Sequence, residues 1–204
     1  MNCKRGGFVT IRHNEVRNFE ATLLSKVCCD VEVEPSLQPL TGEVMQAGVT
    51  KGDQARLDVR ARGFWRRGQN AYFDVCVTNA SAASQANQPL KSVLAKHERE
   101  KKAKYNQRVM NIEHGTLTPF IFTTNGSMGP ECFMFHKSLA DKISEKTGEQ
   151  YANVMNFIRW KLSYILLKSA ILCLCGSRKP TDSDNLAIVG DDFGLYANEL
   201  RLCT

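Results

Sequence analysis

The sequence predicts an α/β fold of the α+β type, on the evidence of its composition and of the alternation of helical and strand-like segments. The 204 residues are 43% hydrophobic and 24% charged, which is enough apolar material for one domain with a full-sized core. Apolar residues at intervals of three and four indicate helices, and short runs of β-branched and aromatic residues indicate strands. The predicted order is α-β-β-β-α-β followed by two additional helices.

The first half of the chain contains one predicted helix and three predicted strands. Residues 14–29 space their apolar side chains as an amphipathic helix, and Val31–Glu34 alternates apolar and acidic residues as a short strand. Residues 36–54 contain repeated glycine and proline and are predicted to form a loop. Arg56–Phe64 and Ala71–Thr78 are rich in β-formers and are separated by a polar turn, so we expect them to form a hairpin.

The second half is predicted to contain three helices and one strand. Leu90–Met110 is highly charged with sparse apolar positions, as in a helix that packs on one side only. Leu117–Thr124 is a compact apolar strand, and Glu131–Lys146 and Tyr151–Cys175 are the two final helices. Trp160 stands at core spacing within the last helix, so we expect its side chain to be buried.

The distribution of charge points to a polyanionic partner. The chain has 27 Lys and Arg against 21 Asp and Glu, a formal net charge of +6. The basic residues concentrate in segments 4–17, 56–67 and 91–108. Clustered cations gain free energy by releasing counterions from a phosphate backbone. A solvated basic surface is the alternative that charge alone leaves open.

The cysteines and the apolar runs predict a protein of the nucleus or cytoplasm. None of the eight cysteines forms a C-x-x-C pair, so a zinc site is not indicated, and free thiols are expected. The first apolar stretch is interrupted by polar residues and does not resemble a signal peptide. The longest apolar run, Tyr164–Cys175, is too short to cross a bilayer, so no membrane partner is expected.

Two aspartates are the leading candidates for chemistry. Asp58 stands on the first strand of the predicted hairpin and Asp74 on the second, so pairing would bring their carboxylates close. Asp74 lies in the almost wholly apolar strand 71–78, where an ionised carboxylate is costly unless it is paired or metal-bound. Two carboxylates suit Mg²⁺ (or Mn²⁺), which also binds water and substrate phosphate. A salt bridge from Asp74 to Arg56, Arg60 or a helix lysine is the alternative.

These residues also carry a resemblance to a known family. Arg56–Asp58 resembles a (K/R)-P-D segment with leucine in place of proline, and Phe73–Val77 resembles a strand of the form W/F-D-V-x-V. Lys101–Tyr105 matches K-x-x-K-Y in the following helix. In this order the motifs resemble the PD-(D/E)XK restriction-endonuclease-like domain at the C-terminus of retrotransposon reverse-transcriptase polyproteins. The resemblance implies a restriction-endonuclease-like αβββαβ core, here with two additional C-terminal helices.

The resemblance also implies a role for each residue. In a metal-dependent DNA endonuclease Asp58 and Asp74 would hold Mg²⁺ (or Mn²⁺). The family's lysine two residues after the second acid is replaced here by Cys76, so Lys101 or Lys104 would assist the nucleophile. If neither lysine reaches the acids, a catalytically inactive nucleic-acid-binding remnant is the alternative. The residues expected to contact the DNA backbone are Arg56, Arg60, Arg66, Arg67 and Lys102.

The implied organisation has three parts. Residues 1–12 would be the remnant of a zinc-knuckle junction, because Cys3 and Arg12–Asn14 resemble its end. Residues 13–179 would form the endonuclease-like domain, and residues 180–204 a polar tail. The implied partners are DNA and a reverse-transcriptase module of the parent polyprotein.

For several other residues the sequence indicates a functional role less strongly. Glu15, beside His13 at the start of the first predicted helix, could be an extra metal ligand, although a capping or surface role is expected. Phe64 and Trp65 either stack on bases or pack as a hairpin pair. Glu113 and His114 are expected to be turn residues.

Overall fold

The computed structural model describes residues 7–38, 56–82, 85 and 87–175, with side chains as far as Cys173. Cys3 and the tail at 180–204 lie outside these residues. The described residues follow the predicted order α-β-β-β-α-β-α-α. The helices are α1 (Phe8–Ser25), α2 (Leu90–Asn111), α3 (Pro130–Thr147) and α4 (Tyr151–Cys175). The strands are β1 (Cys29–Val33), β2 (Val59–Arg62), β3 (Asn70–Thr78) and β4 (Thr116–Thr123).

The strands form a mixed sheet in the order β1-β2-β3-β4. The pairs β1/β2 and β2/β3 are antiparallel, which confirms the predicted hairpin, with Val59 opposite Phe73. β3 and β4 are parallel, and α2 makes the crossover that parallel neighbours require. Asp58 was expected on the first hairpin strand, but β2 begins one residue later, at Val59. The Asp58 N–H nevertheless donates to the Phe73 carbonyl at 3.1 Å, so Asp58 stays fixed against β3.

An aromatic cluster forms the centre of the core. Phe73 and Phe120, on the neighbouring strands β3 and β4, stack with ring centroids 4.8 Å apart, and Phe135 of α3 lies 4.4 Å from Phe120. Phe64 is 1% exposed and joins this cluster, which agrees for this residue with the packing alternative and not with base stacking. Trp65 is 38% exposed and donates its indole N–H to Thr118 Oγ1 at 2.9 Å. The two aromatic neighbours therefore have different environments.

Helix α4 buries one face and exposes the other. Val154, Ile158, Leu162 and Ile165 are buried at intervals of three and four residues. The prediction that Trp160 is buried is wrong, because it stands two residues from both Ile158 and Leu162, and it is 56% exposed. Among the described residues, no helix is both long and apolar enough to span a bilayer.

Helix α3 receives its N-terminal cap from α2. Its N-cap residue, Gly129, has no side chain, and Glu98 accepts the Glu131 N–H at 3.0 Å in its place. The carboxylate can approach this closely only because Gly129 has no Cβ, which would collide with Glu98 Oε1.

We expect Gly129→Ala to lower the free energy of unfolding by about 1–3 kcal/mol, because the added methyl group displaces the capping carboxylate. Urea unfolding measures this cost. In a Glu98→Ala background the colliding group is absent, so the same substitution should cost clearly less. If Gly129→Ala lowers the free energy of unfolding just as much in the Glu98→Ala background, the added methyl group does not act through Glu98.

Candidate active site

Asp58 is held by groups from two other elements. Its Oδ2 accepts the Val75 N–H at 2.6 Å and lies 3.2 Å from Nε2 of His13 on α1. Burial raises the pKa of Asp58, but the hydrogen bond and charge of His13, together with the Val75 N–H, outweigh it and place the pKa below its usual value. Asp58 is therefore an ionised carboxylate near neutral pH.

Asp74 lies beside Asp58 but titrates differently. Its side chain is 7% exposed, and the Lys101 ammonium lies 2.7 Å from its Oδ2. Burial raises the pKa of Asp74 to about 6 against the opposing effect of Lys101, and the neighbouring Asp58 carboxylate raises it further. The Lys101 ammonium is therefore the ion-pair partner of Asp74 Oδ2.

Lys101 and Lys104 were the two candidates to replace the lysine that the family carries at the position of Cys76, and their environments differ. Lys101 reaches Asp74, whereas the Lys104 ammonium lies 4.7 Å from the centroid of the Tyr105 ring and its side chain is exposed. Three residues along a helix turn the side chain by about 300°, so the two lysines project in directions about 60° apart. Burial lowers the pKa of Lys101, but Asp74 outweighs this effect and raises it, which keeps the ammonium charged.

Cys76 occupies the strand position where the resemblance expects lysine. It stands two residues after Asp74, and alternate residues of a strand point to the same side of the sheet. Burial raises the pKa of its thiol, so Cys76 is neutral and supplies no positive charge. Lys101 of α2 provides a cation there instead.

His13 is a site residue to which the sequence pattern gave no role. Helix α1 begins at Phe8, not at residue 14, so His13 lies inside the helix and its ring reaches Asp58. The hydrogen bond to Asp58 is the largest of the effects that raise the pKa of His13. Glu15 instead lies 3.5 Å from the Lys168 ammonium. No local signal identifies His13, because its contact joins residues 45 positions apart.

The five residues expected to bind a DNA backbone fall into two groups. Arg66 and Arg67 are exposed in the turn between β2 and β3. The other three are paired with acidic side chains: Arg56 with Glu34 (3.9 Å), Arg60 with Glu32 (2.9 Å) and Lys102 with Glu131 (2.6 Å). The alternative in which Arg56 or Arg60 neutralises Asp74 is not observed, since Lys101 takes that place. Of these five residues, Arg66 and Arg67 are the two that could contact a phosphate without first giving up one of the ion pairs described above.

The acidic pair fits a hard divalent cation. The described residues contain no group of three or more His, Cys, Asp or Glu side chains arranged to hold a metal ion. Mg²⁺ needs fewer protein ligands than that, because one or two carboxylates suffice when water and substrate phosphate complete its shell. Asp74 is buried, and the Lys101 ammonium 2.7 Å from its Oδ2 already supplies one positive charge, which a bound cation would supplement.

The raised pKa of Asp74 predicts that this residue destabilises the metal-free protein. A carboxyl whose folded-state pKa exceeds its unfolded value adds stability at low pH, and that contribution is lost as pH rises through about 6. We therefore expect Asp74→Asn to raise the free energy of unfolding at pH 8, in EDTA, by about 1–3 kcal/mol. The gain should be smaller at pH 5.

Urea unfolding at both pH values checks this prediction. Asp141→Asn, which removes an exposed carboxyl from α3, is the control and should change little. A loss of stability in Asp74→Asn at pH 8 would mean that the ion pair with Lys101 outweighs the cost of burying the carboxylate.

Comparison with known proteins does not place the chain in a family. No protein-family model matches the sequence, and no match is found among curated proteins. The functional interpretation therefore rests on the arrangement of Asp58, Asp74, Lys101 and His13.

Proposed function

We propose that this protein is a Mg²⁺-dependent DNA endonuclease, a phosphodiester hydrolase. The observation that carries the proposal is the convergence of Asp58, Asp74 and Lys101, with the lysine ammonium 2.7 Å from the second carboxylate. Two carboxylates and a cation at the end of a hairpin are the groups that metal-assisted phosphate hydrolysis needs from a protein. The net charge of +6 agrees with a polyanionic substrate.

The element order supports a restriction-endonuclease-like core. The first six elements run αβββαβ, and the two acids stand at β2 and β3, as the resemblance implies. The crossover α2 carries Lys101 to the acid of β3, which offsets the cysteine at position 76. A retrotransposon origin, with a reverse-transcriptase module as partner and a nuclear or cytoplasmic location, is part of the same proposal.

Each side chain has a distinct task in this proposal. Asp58 and Asp74 would hold the metal, which when bound lowers the pKa of a water molecule and stabilises charge on the phosphate. Lys101 remains charged and orients the attacking water or offsets negative charge beside Asp74. His13 and the Val75 N–H fix the orientation of Asp58. Arg66 and Arg67 would contact the backbone.

One observation favours a second function, nucleic-acid binding without catalysis. The Lys101–Asp74 ion pair already neutralises the buried carboxylate, so the fold does not need a metal for that purpose. This alternative predicts salt-sensitive binding with no metal-dependent product.

Plasmid nicking separates the two functions. The proposal predicts that supercoiled plasmid is nicked in Mg²⁺ or Mn²⁺ and stays intact in EDTA. Fluorescence anisotropy with a labelled duplex at 50 and 200 mM salt measures binding in parallel. Salt-sensitive binding without nicking in any metal would select the binding function, and the absence of both activities would overturn both.

A further inference from the structure

A cleft with polar and apolar walls lies at the carboxyl ends of the parallel strands β3 and β4. It has a volume of about 480 Å³ and is bounded by the segments that follow β3 and β4 and by helix α4. Asn79 and Ser81 come from the first segment, Thr124 and Asn125 from the second, and Ser163 from the helix. We refer to it as the Arg12 cleft, because Arg12 of α1 also lines it.

Arg12 is the charged residue of this cleft, and its surroundings are unusual. It is 2% exposed, and among the described residues no acidic side chain lies within ion-pair distance of it. Its Nε has no hydrogen-bond partner among those residues. A buried charge without a partner is costly, and an arginine stays protonated rather than neutralise. Nε is therefore a buried donor that is left without an acceptor among the described residues.

The other groups around the cleft are compatible with an anion. The polar lining residues are neutral hydroxyls and amides, and no carboxylate is among the residues that line it. Hydroxyl and amide groups can donate hydrogen bonds to anionic oxygens. Leu166, Leu167 and Ala170 of α4 add an apolar wall against which a sugar or a base could pack. One buried cation, neutral donors and an apolar wall together suit a phosphate group attached to an organic moiety.

We propose that the Arg12 cleft binds a phosphate group, carried either by a DNA strand or by a free nucleotide. The version in which a DNA strand carries the phosphate rests on the proposed function. His13, the next residue after Arg12, contacts Asp58, so α1 borders both sites. Asn79 follows Asp74 by five residues, which is roughly 17 Å of extended strand.

Binding measurements in EDTA test the cleft independently of nicking. The probes are inorganic phosphate, thymidine monophosphate and a labelled single-stranded oligonucleotide. Arg12→Met retains much of the side-chain volume and removes the charge. Ser163→Asp places a negative charge at the rim and is exposed, so it leaves the core intact. Asn153→Asp makes the same charge change on an exposed position ten residues away on α4 and is the matched control.

We expect Ser163→Asp and Arg12→Met each to weaken binding at least tenfold relative to Asn153→Asp. Loss of phosphate and thymidine monophosphate binding identifies a free-nucleotide source, whereas loss confined to the oligonucleotide identifies a strand source. Equal binding of every probe by Ser163→Asp and Asn153→Asp overturns the proposal, even if Arg12→Met fails to fold. Variant-sensitive binding in a protein that does not nick supports the cleft and refutes only the endonuclease.

Discussion

Replacing Asp74 by alanine is expected to lower the rate of Mg²⁺-dependent plasmid nicking by at least about a thousandfold, because the metal loses one of its two protein carboxylates. Asp74 also pairs with the Lys101 ammonium, so the substitution removes the ion-pair partner of that lysine. Asp58→Ala should lower the nicking rate by a similar factor. The measurement is the initial rate of conversion of supercoiled to nicked plasmid.

Asp141→Ala is the matched control, since it removes an exposed carboxyl from α3. It should nick at close to the wild-type rate. The Asp74 variant should keep its affinity for labelled duplex in EDTA, because the exposed turn arginines are untouched. Nicking that persists in both Asp58→Ala and Asp74→Ala would remove these residues from the mechanism.

The second large effect is expected at Lys101. Lys101→Met should lower the nicking rate by about a hundredfold to a thousandfold, the range observed when one preorganised charge-stabilising group is removed. Lys104→Met should stay close to wild type, because its ammonium packs over Tyr105 and does not reach the acidic pair. The two variants change the same residue type at positions three residues apart on the same helix.

The pH dependence of nicking distinguishes a direct role of Lys101 from a purely structural one. Lys101 lowers the pKa of Asp74, so its removal should move the acidic limb of the pH profile upward as well as lower the maximum rate. Lys101→Arg, which keeps the charge, should restore part of the activity. Equal losses of nicking rate in Lys101→Met and Lys104→Met would contradict a specific role for the ammonium that lies beside Asp74.

Much of the fold could be predicted because periodicity and turn residues are local. The hairpin of β2 and β3 follows from two β-rich segments joined by a short polar turn, and the structure contains it. The burial of Trp160 was predicted wrongly, since spacing by three and four in a helix that is apolar on most faces does not identify the face that meets the core. Residues 158 and 162, not 160, define that face.

Less of the site could be predicted, because its contacts join distant segments. The apolar surroundings of Asp74 marked it as an acid in need of a partner, and the structure supplies Lys101. The choice between Lys101 and Lys104 was open, since sequence does not fix the rotation of α2 about its axis. Arg60 pairs with Glu32 because β1 lies beside β2, a neighbour relation that no local pattern gives.

Binding of Mn²⁺ to the wild type and to the double variant Asp58→Asn/Asp74→Asn, followed by isothermal titration calorimetry at pH 8, tests the central claim most directly. Both carboxyls are ionised at that pH, so proton competition is small. We expect a binding site in the wild type that is lost in the double variant, which keeps the size and shape of both side chains. Equal binding by the two proteins, or no binding by the wild type, would contradict a metal centre at the acidic pair.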